Sequence, residues 1–345
     1  MAYLMDTVLN AYQSKLAQTE IKTGVHGVIP FVKEQTPFAQ VDPDTINAIK
    51  SANGRTVDIS AIKETDITVA SAFSYDLASH RSETAKTSVT IYQLWTSFFF
   101  NEFDFANNAV GATQYLSNKL LEVDNALAEK KAEILLGILN TRRTQVFNDA
   151  GKPTGVQFNT TPDALTIALA QESDPWFDYI QSFMVQNKLS GQYSAVATPS
   201  LGITLAKHKL YSTYNDKNLM GQAFPKIFMD NKLSPTAGSN ATLFFARNGA
   251  IASYDSIPVE FERGASVPGT QFYVGAQELA MTGQKPLVVE IDERYNGTGL
   301  TGRPTDPMTL HKRIGMGVSF AAVTSYNSDI TTKVNDILKV ELLSS

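Results

Sequence analysis

The sequence has 345 residues, of which 43% are hydrophobic and 18% charged, with a net charge of −5 and no cysteine. The missing cysteines exclude disulfides and thiolate chemistry, and the acidic balance argues against a dedicated nucleic-acid binder. No apolar run reaches the ~18 residues of a membrane span, and the first residues lack the basic start of a signal peptide. The charged share lies below the usual figure of about 25%, which favours extensive contact with other proteins.

The N-terminal region predicts a short amphipathic helix over residues 3–18. Apolar side chains recur there at helical spacing, at Met5, Leu9, Tyr12 and Leu16. The residues that follow carry Gly24, Gly27, Pro30 and Pro37. We therefore expect an extended arm without a core of its own.

Residues 45–77 alternate loosely around Asn53-Gly54, a dipeptide suited to a type I′ hairpin turn. Charges lie on both faces of this segment, at Lys50, Arg55, Asp58, Lys63, Glu64 and Asp66. A two-stranded hairpin with so little apolar surface is marginal in water. It must pack either on its own domain or on a neighbouring molecule.

Residues 87–105 are rich in β-branched and aromatic side chains and predict a strand. Five phenylalanines lie close together, at Phe98, Phe99, Phe100, Phe103 and Phe105. A buried sheet segment that enters a helix is the favoured interpretation, and an aromatic binding site is the alternative.

A single helix is predicted from about residue 113 to residue 145, roughly 50 Å long at 1.5 Å per residue. One apolar stripe consists of Leu116, Leu120, Val123, Leu127, Ile134 and Ile138. A second face consists of Leu121, Ala128, Ala132, Leu135 and Leu139. A helix with two apolar faces lies between two layers. The heptad pattern of a coiled coil fails at Lys130 and Lys131, whose stems we expect to cover apolar surface while their charges reach water.

Gly151 to Gly155 mark a junction, after which the pattern becomes α/β. We expect a helix at 176–189, a buried strand at 195–198, a helix from Pro199 to Tyr211 and a second hairpin about Asn248-Gly249. After Glu260 the chain is mostly strand. The last strand alternates strictly at Ile314, Met316, Val318, Phe320 and Ala322. Its other face is Gly315, Gly317, Ser319 and Ala321, small enough for another backbone to approach closely.

The motifs that would support an enzyme are weak. "GTGLTG" (297–302) matches the dinucleotide-binding glycine pattern, but Pro304 and Pro307 prevent a helix from starting there. "GKPTG" (151–155) lacks the spacing of a phosphate-binding loop, and Ser200 lacks the first glycine of a nucleophile elbow. The four histidines have no metal-ligand spacing. The sequence therefore predicts no catalytic, cofactor or metal residues.

The order of elements resembles the major capsid proteins of tailed bacteriophages, the Hong Kong 97 fold. The parts that carry the resemblance are the short arm, the polar hairpin, the aromatic strand, the long helix, the α/β block and the strand-rich return. The resemblance implies an α+β fold with an arm at 1–36, an extended loop at 40–75 and a peripheral domain at 76–155. The spine helix would span 109–146, the axial domain 156–255, and the peripheral return 256–345.

The resemblance also implies a function and partners. The chain would assemble into hexamers and pentamers of an icosahedral or prolate head shell that encloses double-stranded DNA without sequence-specific binding. Its location would be the virion, with assembly in the bacterial host cytoplasm. A portal and a separate scaffolding protein are implied, because only a short arm precedes the loop, and a decoration protein stays open. Contacts between subunits would come from the charged loop and from the apolar positions of the arm.

Three other hypotheses compete with the head shell. One is an encapsulin-type nanocompartment of the same fold, which would dock cargo enzymes. Another is a different structural virion or tail protein that forms rings or tubes. The third is an unrelated enzyme or binding protein, which would need a ligand-sized pocket lined by polar groups.

Overall fold

The computed structural model describes residues 24–39, 41–51, 56–62, 84–101, 109–143, 156–159, 164–169, 180, 184, 191–203, 226–294, 310–324 and 336–344. Within these ranges the chain forms a mixed α+β fold of two β-sheets connected by a long helix. The predicted helix at 3–18 and the junction at 151–155 lie outside them.

The helices are α1 (Val28–Gln35), which runs into a 3-10 turn (Thr36–Phe38), α2 (Pro43–Lys50), α3 (Ala109–Thr141) and α4 (Val259–Glu262). Proline begins α2, where the missing N–H costs nothing. In the predicted helix at 176–189, Ile180 and Met184 are described, and both are helical and buried.

The strands fall between and after these helices. The first seven are β1 (Thr56–Ile62), β2 (Thr84–Asn101), β3 (Val156–Asn159), β4 (Ala164–Leu169), β5 (Tyr193–Ala197), β6 (Lys226–Met229) and β7 (Ser239–Arg247). The others are β8 (Ile251–Asp255), β9 (Ser266–Val267), β10 (Thr270–Val274), β11 (Leu287–Arg294), β12 (Leu310–Thr324) and β13 (Ile337–Ser344). The aromatic strand is confirmed as β2, and the buried strand predicted at 195–198 is confirmed as β5.

The first sheet has the order β1-β2-β12-β11-β10-β9 and is antiparallel throughout. β8 also pairs with β12, through Phe320 to Thr324. Because Phe320 and Ala321 pair with both β2 and β8, these two strands must lie on opposite edges of β12. β11 pairs with β12 as far as Gly317, and β8 pairs with the same edge of β12 from Phe320 onward.

The second sheet has the order β3-β4-β13-β7-β5-β6. Its central strand is β13, which runs parallel to β4 and antiparallel to β7. The resemblance assigned these last residues to the peripheral return at 256–345, and that division stays a prediction. The expected hairpin about Asn248-Gly249 is wrong, because β7 and β8 do not pair and belong to different sheets. The turn itself is present, with Gly249 at φ 91°.

The long helix is confirmed, and both of its predicted apolar faces are buried or half-buried. Its first half packs on the first sheet, where Leu116, Leu120 and Leu127 share a core with Val288 and Met316. Its second half lies in another core, which includes side chains of both sheets. α3 therefore joins the two sheets.

The segment that includes α1 is neither extended nor without a core, which corrects the sequence prediction. Val28 and Phe31 are fully buried, in one cluster with Leu135 of α3, Phe244 of β7 and Phe320 of β12. The glycines and prolines mark the ends of a helix that fills the space between α3 and the sheets. Its N-terminus is held from far along the chain, since the Val28 N–H donates to the buried carboxylate of Asp230 at 2.9 Å.

Two further predictions are corrected. The residues before Asn53 form α2 rather than a strand, so the expected hairpin about Asn53-Gly54 is replaced by the pairing of β1 with β2. Lys131 does not reach water: its side chain is buried against Thr282, whereas Lys130 is exposed and pairs with Glu133.

Candidate assembly surfaces

Two of the predicted contact residues are described. Lys50 is exposed at the end of α2, and its carbonyl accepts a hydrogen bond from the Ile257 N–H at 3.3 Å. Asp58 is exposed on β1 and accepts a hydrogen bond from the hydroxyl of Ser88, its cross-strand partner, at 2.6 Å. The structure therefore separates these two residues into different elements. The other predicted residues lie outside the described part: Met5, Leu9, Tyr12, Leu16, Asn53, Gly54, Arg55, Lys63 and Glu64.

β1 and the first part of β2 form a two-stranded ribbon, which we call the β1–β2 ribbon. It consists of seven residue pairs, from Thr56 with Thr90 to Ile62 with Thr84. β2 pairs with β12 only from Ile91 onward. The seven paired residues of each strand, about 23 Å at roughly 3.3 Å per residue, thus lie beyond the last pair that β2 forms with β12.

The base of the ribbon is anchored in a small apolar cluster. Val89 and Ile91 of β2 pack there with Ile49 of α2 and Ala321 of β12, and Val57 covers them. All four of the buried side chains are less than 10% exposed. The base is thus fixed to the rest of the fold by α2 and β12.

The side chains at the base divide by face. Val57 and its partner Val89 face the cluster, whereas Thr56, Asp58 and Ser88 are exposed. This alternation gives the ribbon one apolar face where it meets the body and one polar face. The polar face at the base can therefore stay in contact with water.

Both edges of the β1–β2 ribbon have open hydrogen-bonding groups. Among the described strands, β1 pairs with β2 alone, and the first seven residues of β2 pair with β1 alone. Unpaired N–H and C=O groups along a strand edge can pair with a strand of another chain. The ribbon is thus a surface suited to contact with a neighbour.

A second surface lies on the face of the first sheet that points away from α3. Trp95 is 43% exposed and Phe99 is 48% exposed. Phe261 of α4 packs against Trp95, with ring centroids 5.4 Å apart, and Phe272 of β10 packs against Phe261 at 5.5 Å. We call these four residues the aromatic patch. The guanidinium of Arg313 lies 4.9 Å from the Phe99 ring centroid, within cation–π distance.

Gly317 of β12 makes room for this patch. A Cβ at Gly317 would lie 2.6 Å from the Trp95 ring and 2.5 Å from the Leu94 carbonyl oxygen. The sequence predicted that a backbone would approach this small face. The indole ring of Trp95, from the same sheet, lies there as well.

The aromatic patch was missed because all the phenylalanines of β2 were assigned to a buried segment. Neighbouring residues of a strand point to opposite faces. Phe98 and Phe100 accordingly pack in the core under α3, and Phe99 points outward. This alternation of side chains along the strand could have predicted from the sequence that Phe99 is exposed. Phe103 and Phe105 lie outside the described residues.

The described residues contain little that supports catalysis. The Ser200 hydroxyl donates to the Asn240 carbonyl at 2.7 Å and lies 2.9 Å from the Thr198 hydroxyl, with no histidine beside it among the described contacts. In the ranges given above, no three His, Asp or Glu side chains are grouped as a metal site would require. None of the helices described there is long and apolar enough to cross a membrane.

Comparisons with known proteins give structural matches only. No family model matches the chain, and no curated protein matches it by sequence. Among solved structures, it is similar to a chain of Mycobacterium phage Che8, with 11% identity, 93% of each chain covered and a TM-score of 0.47.

Two further matches are named as capsids. For the capsid structure of the cyanophage P-SCSP1u, the identity is 11%, the coverage 89% of each chain and the TM-score 0.42. For the capsid of Ralstonia phage GP4, the identity is 9%, the coverage 86% of each chain and the TM-score 0.43. At these identities and TM-scores the likeness does not decide the function, which we infer from the surfaces of this chain.

Proposed function

We propose that this protein is the major capsid protein of a tailed bacteriophage and assembles into the head shell around double-stranded DNA. The observation that carries the proposal is the β1–β2 ribbon, which leaves its own sheet with both edges open. The proposed role of the protein is structural, and its main partner is another copy of the same chain.

The ribbon needs a neighbour for physical reasons. An isolated two-stranded ribbon is marginal in water, because it buries little apolar surface. Its anchoring cluster reaches Val57 and Val89, at its base. Pairing or packing on an adjacent subunit would bury its remaining length, and a repeated contact of this kind between unlike surfaces generates a ring where the rotation closes.

The body of the subunit suits a shell as well. The apolar faces of α3 are buried or half-buried from Leu116 to Leu139 and join two sheets, so that the helix can transmit load between their contacts. The aromatic patch adds an exposed apolar surface on the first sheet, and exposed aromatic groups are enriched where proteins meet. The low share of charged residues agrees with a large contact area.

In this proposal the chain is divided as the resemblance implies. The extended loop is 40–75, the peripheral domain is 76–155 with the return at 256–345, the spine helix is 109–146, and the axial domain is 156–255. The C-terminal strand β13 would belong with the axial domain, because it is central to the second sheet. Within the arm at 1–36, α1 is buried in its own subunit, so contacts with neighbours would come from the residues before it.

The partners follow from the same proposal. Hexamers and pentamers of this chain would form the shell, together with a portal and a separate scaffolding protein, and a decoration protein stays open. The acidic wall would enclose DNA without sequence-specific contacts. Assembly would occur in the bacterial host cytoplasm, and the final location would be the virion.

The proposal is tested by expressing the full chain and examining it by size-exclusion chromatography and negative-stain electron microscopy. We expect capsomers or closed shells. A monomer that persists at high concentration contradicts the proposal, and rings or tubes point to another virion or tail component. Shells that contain a co-purifying enzyme point to an encapsulin-type compartment.

A further inference from the structure

The loop between β10 and β11, residues 275–286, folds over α3. Its ends are joined by the Gly275 N–H, which donates to the Pro286 carbonyl at 2.8 Å. Within it the Leu279 N–H donates to the Gln284 carbonyl at 2.9 Å, and the fully buried Leu279 side chain packs in the core beneath α3. We call this segment the 275–286 loop.

Asp124 of α3 holds the loop by its backbone. The carboxylate is fully buried, and it accepts hydrogen bonds from the N–H groups of Met281 at 2.8 Å and Thr282 at 3.1 Å. Hydrogen bonds from N–H groups stabilise a buried carboxylate. This contact fixes the loop to one turn of the helix.

Lys131 lies two turns farther along α3 and contacts the same point of the loop. Its ammonium donates to the Thr282 carbonyl at 3.0 Å and lies 5.2 Å from the centroid of the Phe320 ring. Only 4% of the residue is exposed. No further hydrogen bond of the ammonium is found among the described residues, and the buried Thr282 hydroxyl is without a partner there.

The charged groups around Lys131 come from each neighbouring element. Asp124 lies on α3, Asp255 on β8, Glu278 on the 275–286 loop and Lys33 on α1. Burial lowers the pKa of Lys131 from 10.5 to about 8, against the opposing attraction of Asp255. Burial likewise raises the pKa of Asp255, whose carboxylate accepts a hydrogen bond from the Gln284 amide.

We propose that the 275–286 loop is a proton-dependent strap, which is held to α3 more tightly when Lys131 is neutral than when it is charged. A charged ammonium is costly to bury with a single hydrogen-bond acceptor. If the loop opened, water would reach the Lys131 ammonium and the cost of burying its charge would disappear. The neutral amine can keep its hydrogen bond to the Thr282 carbonyl without that cost. The inference does not depend on the capsid function.

The sign follows from proton linkage. In the open loop the pKa of Lys131 returns toward 10.5, so the open state binds more protons than the closed state above pH 8. Closing is therefore favoured as pH rises. If the whole shift is lost on opening, the closed loop gains about tenfold in equilibrium constant between about pH 7 and about pH 9.

Hydrogen–deuterium exchange of the 275–286 loop in the full chain tests this. After correction for the intrinsic exchange rate, we expect protection of the Met281 and Thr282 amides to rise by up to about tenfold over this pH range. Lys131→Met should remove the pH dependence. Lys130→Met is the matched control, since Lys130 is exposed on the same helix, and it should behave as the wild type.

Unchanged protection in the wild type between the two pH values overturns the proposal, and this result needs no variant. A pH dependence that persists in Lys131→Met also overturns it, because another group would then be responsible. The exchange rates at the two pH values are compared within samples of the same oligomeric form. A missing pH dependence in the loop can therefore be distinguished from a failure to form shells.

Discussion

At the scale of single residues, the outer face of the first sheet depends on glycine. Gly315 and Gly317 alternate along β12 beside β2, and they face different neighbours. A Cβ at Gly315 would meet the Val289 Cβ at 3.6 Å, an ordinary contact, whereas at Gly317 it would overlap the Trp95 ring and a carbonyl. Gly315 and Gly317 occupy equivalent positions in the alternation of small residues along β12, but only Gly317 is closely covered by a neighbouring side chain.

Gly317→Ala should therefore destabilise the subunit, because a methyl group is forced into a filled space. We expect a loss of about 1–3 kcal/mol in the free energy of unfolding, measured by chemical denaturation. Gly315→Ala is the matched control and should stay within about 0.5 kcal/mol of the wild type. Equal effects of the two substitutions would mean that Trp95 does not lie over Gly317.

The sequence predicted the small face of β12 but not the group that covers it. The reason is physical: the alternation of a strand gives the face of each residue, but the neighbouring strand and its register are set by the whole fold. Lys131 shows the same limit. Its charge was expected to reach water, and the 275–286 loop, more than 140 positions along the chain, covers it.

At the scale of elements, α3 was predictable because it is long and strongly periodic. Both apolar faces and the position between two layers could be read from spacing alone. α1 could not, because its eight residues are flanked by glycine and proline. Its helix is stabilised by Asp230, 202 positions away, and by a core built from several elements.

Two adjacent positions of α3, one buried and one exposed, allow the burial of its apolar face to be tested. Leu127→Asp would place an unpaired carboxylate in the core under the first sheet, where only 3% of the residue is exposed. We expect loss of soluble folded protein, because the cost is comparable with a total stability of about 5–15 kcal/mol. The soluble fraction and circular dichroism provide the measurement.

Ala126→Asp is the control for this substitution. Ala126 is exposed, and the new carboxylate would lie four residues before Lys130, a favourable helical spacing. It should fold as the wild type. Equal solubility of both variants would show that the face of α3 at Leu127 is not buried.

At the scale of the whole molecule, the described residues form a two-sheet body and a ribbon that the body anchors at its base. The sequence predicted a polar hairpin in this region, and a ribbon is present, but its partner strand is β2 and not the residues before Asn53. The Asn-Gly signal was misleading because α2 precedes it. A local turn motif does not determine which strands pair.

Replacing residues 59–87 with a two-residue Asn-Gly turn should separate folding from assembly. The Asp58–Ser88 pair and the anchoring cluster with Val57 and Val89 are kept, so we expect the free energy of unfolding to stay within about 1 kcal/mol of the wild type. Electron microscopy should show no closed shells. Closed shells from this variant would contradict the role of the ribbon.

Gly137→Ala provides the control for assembly, since Gly137 is exposed on α3 with open space around it. It should form the same particles as the wild type. If the truncated chain unfolds instead, the ribbon belongs to the core of its own subunit and the proposed contact with neighbours fails.

The central place of β13 has a consequence for the timing of synthesis. Every other strand of the second sheet leaves the ribosome before Ile337, yet β13 pairs with both β4 and β7. While the chain is still being translated, the pair β3-β4 and the group β7-β5-β6 have no strand to connect them. A nascent chain therefore cannot complete this layer until β13 has been synthesised, and until then the edges of β4 and β7 that face β13 stay unpaired.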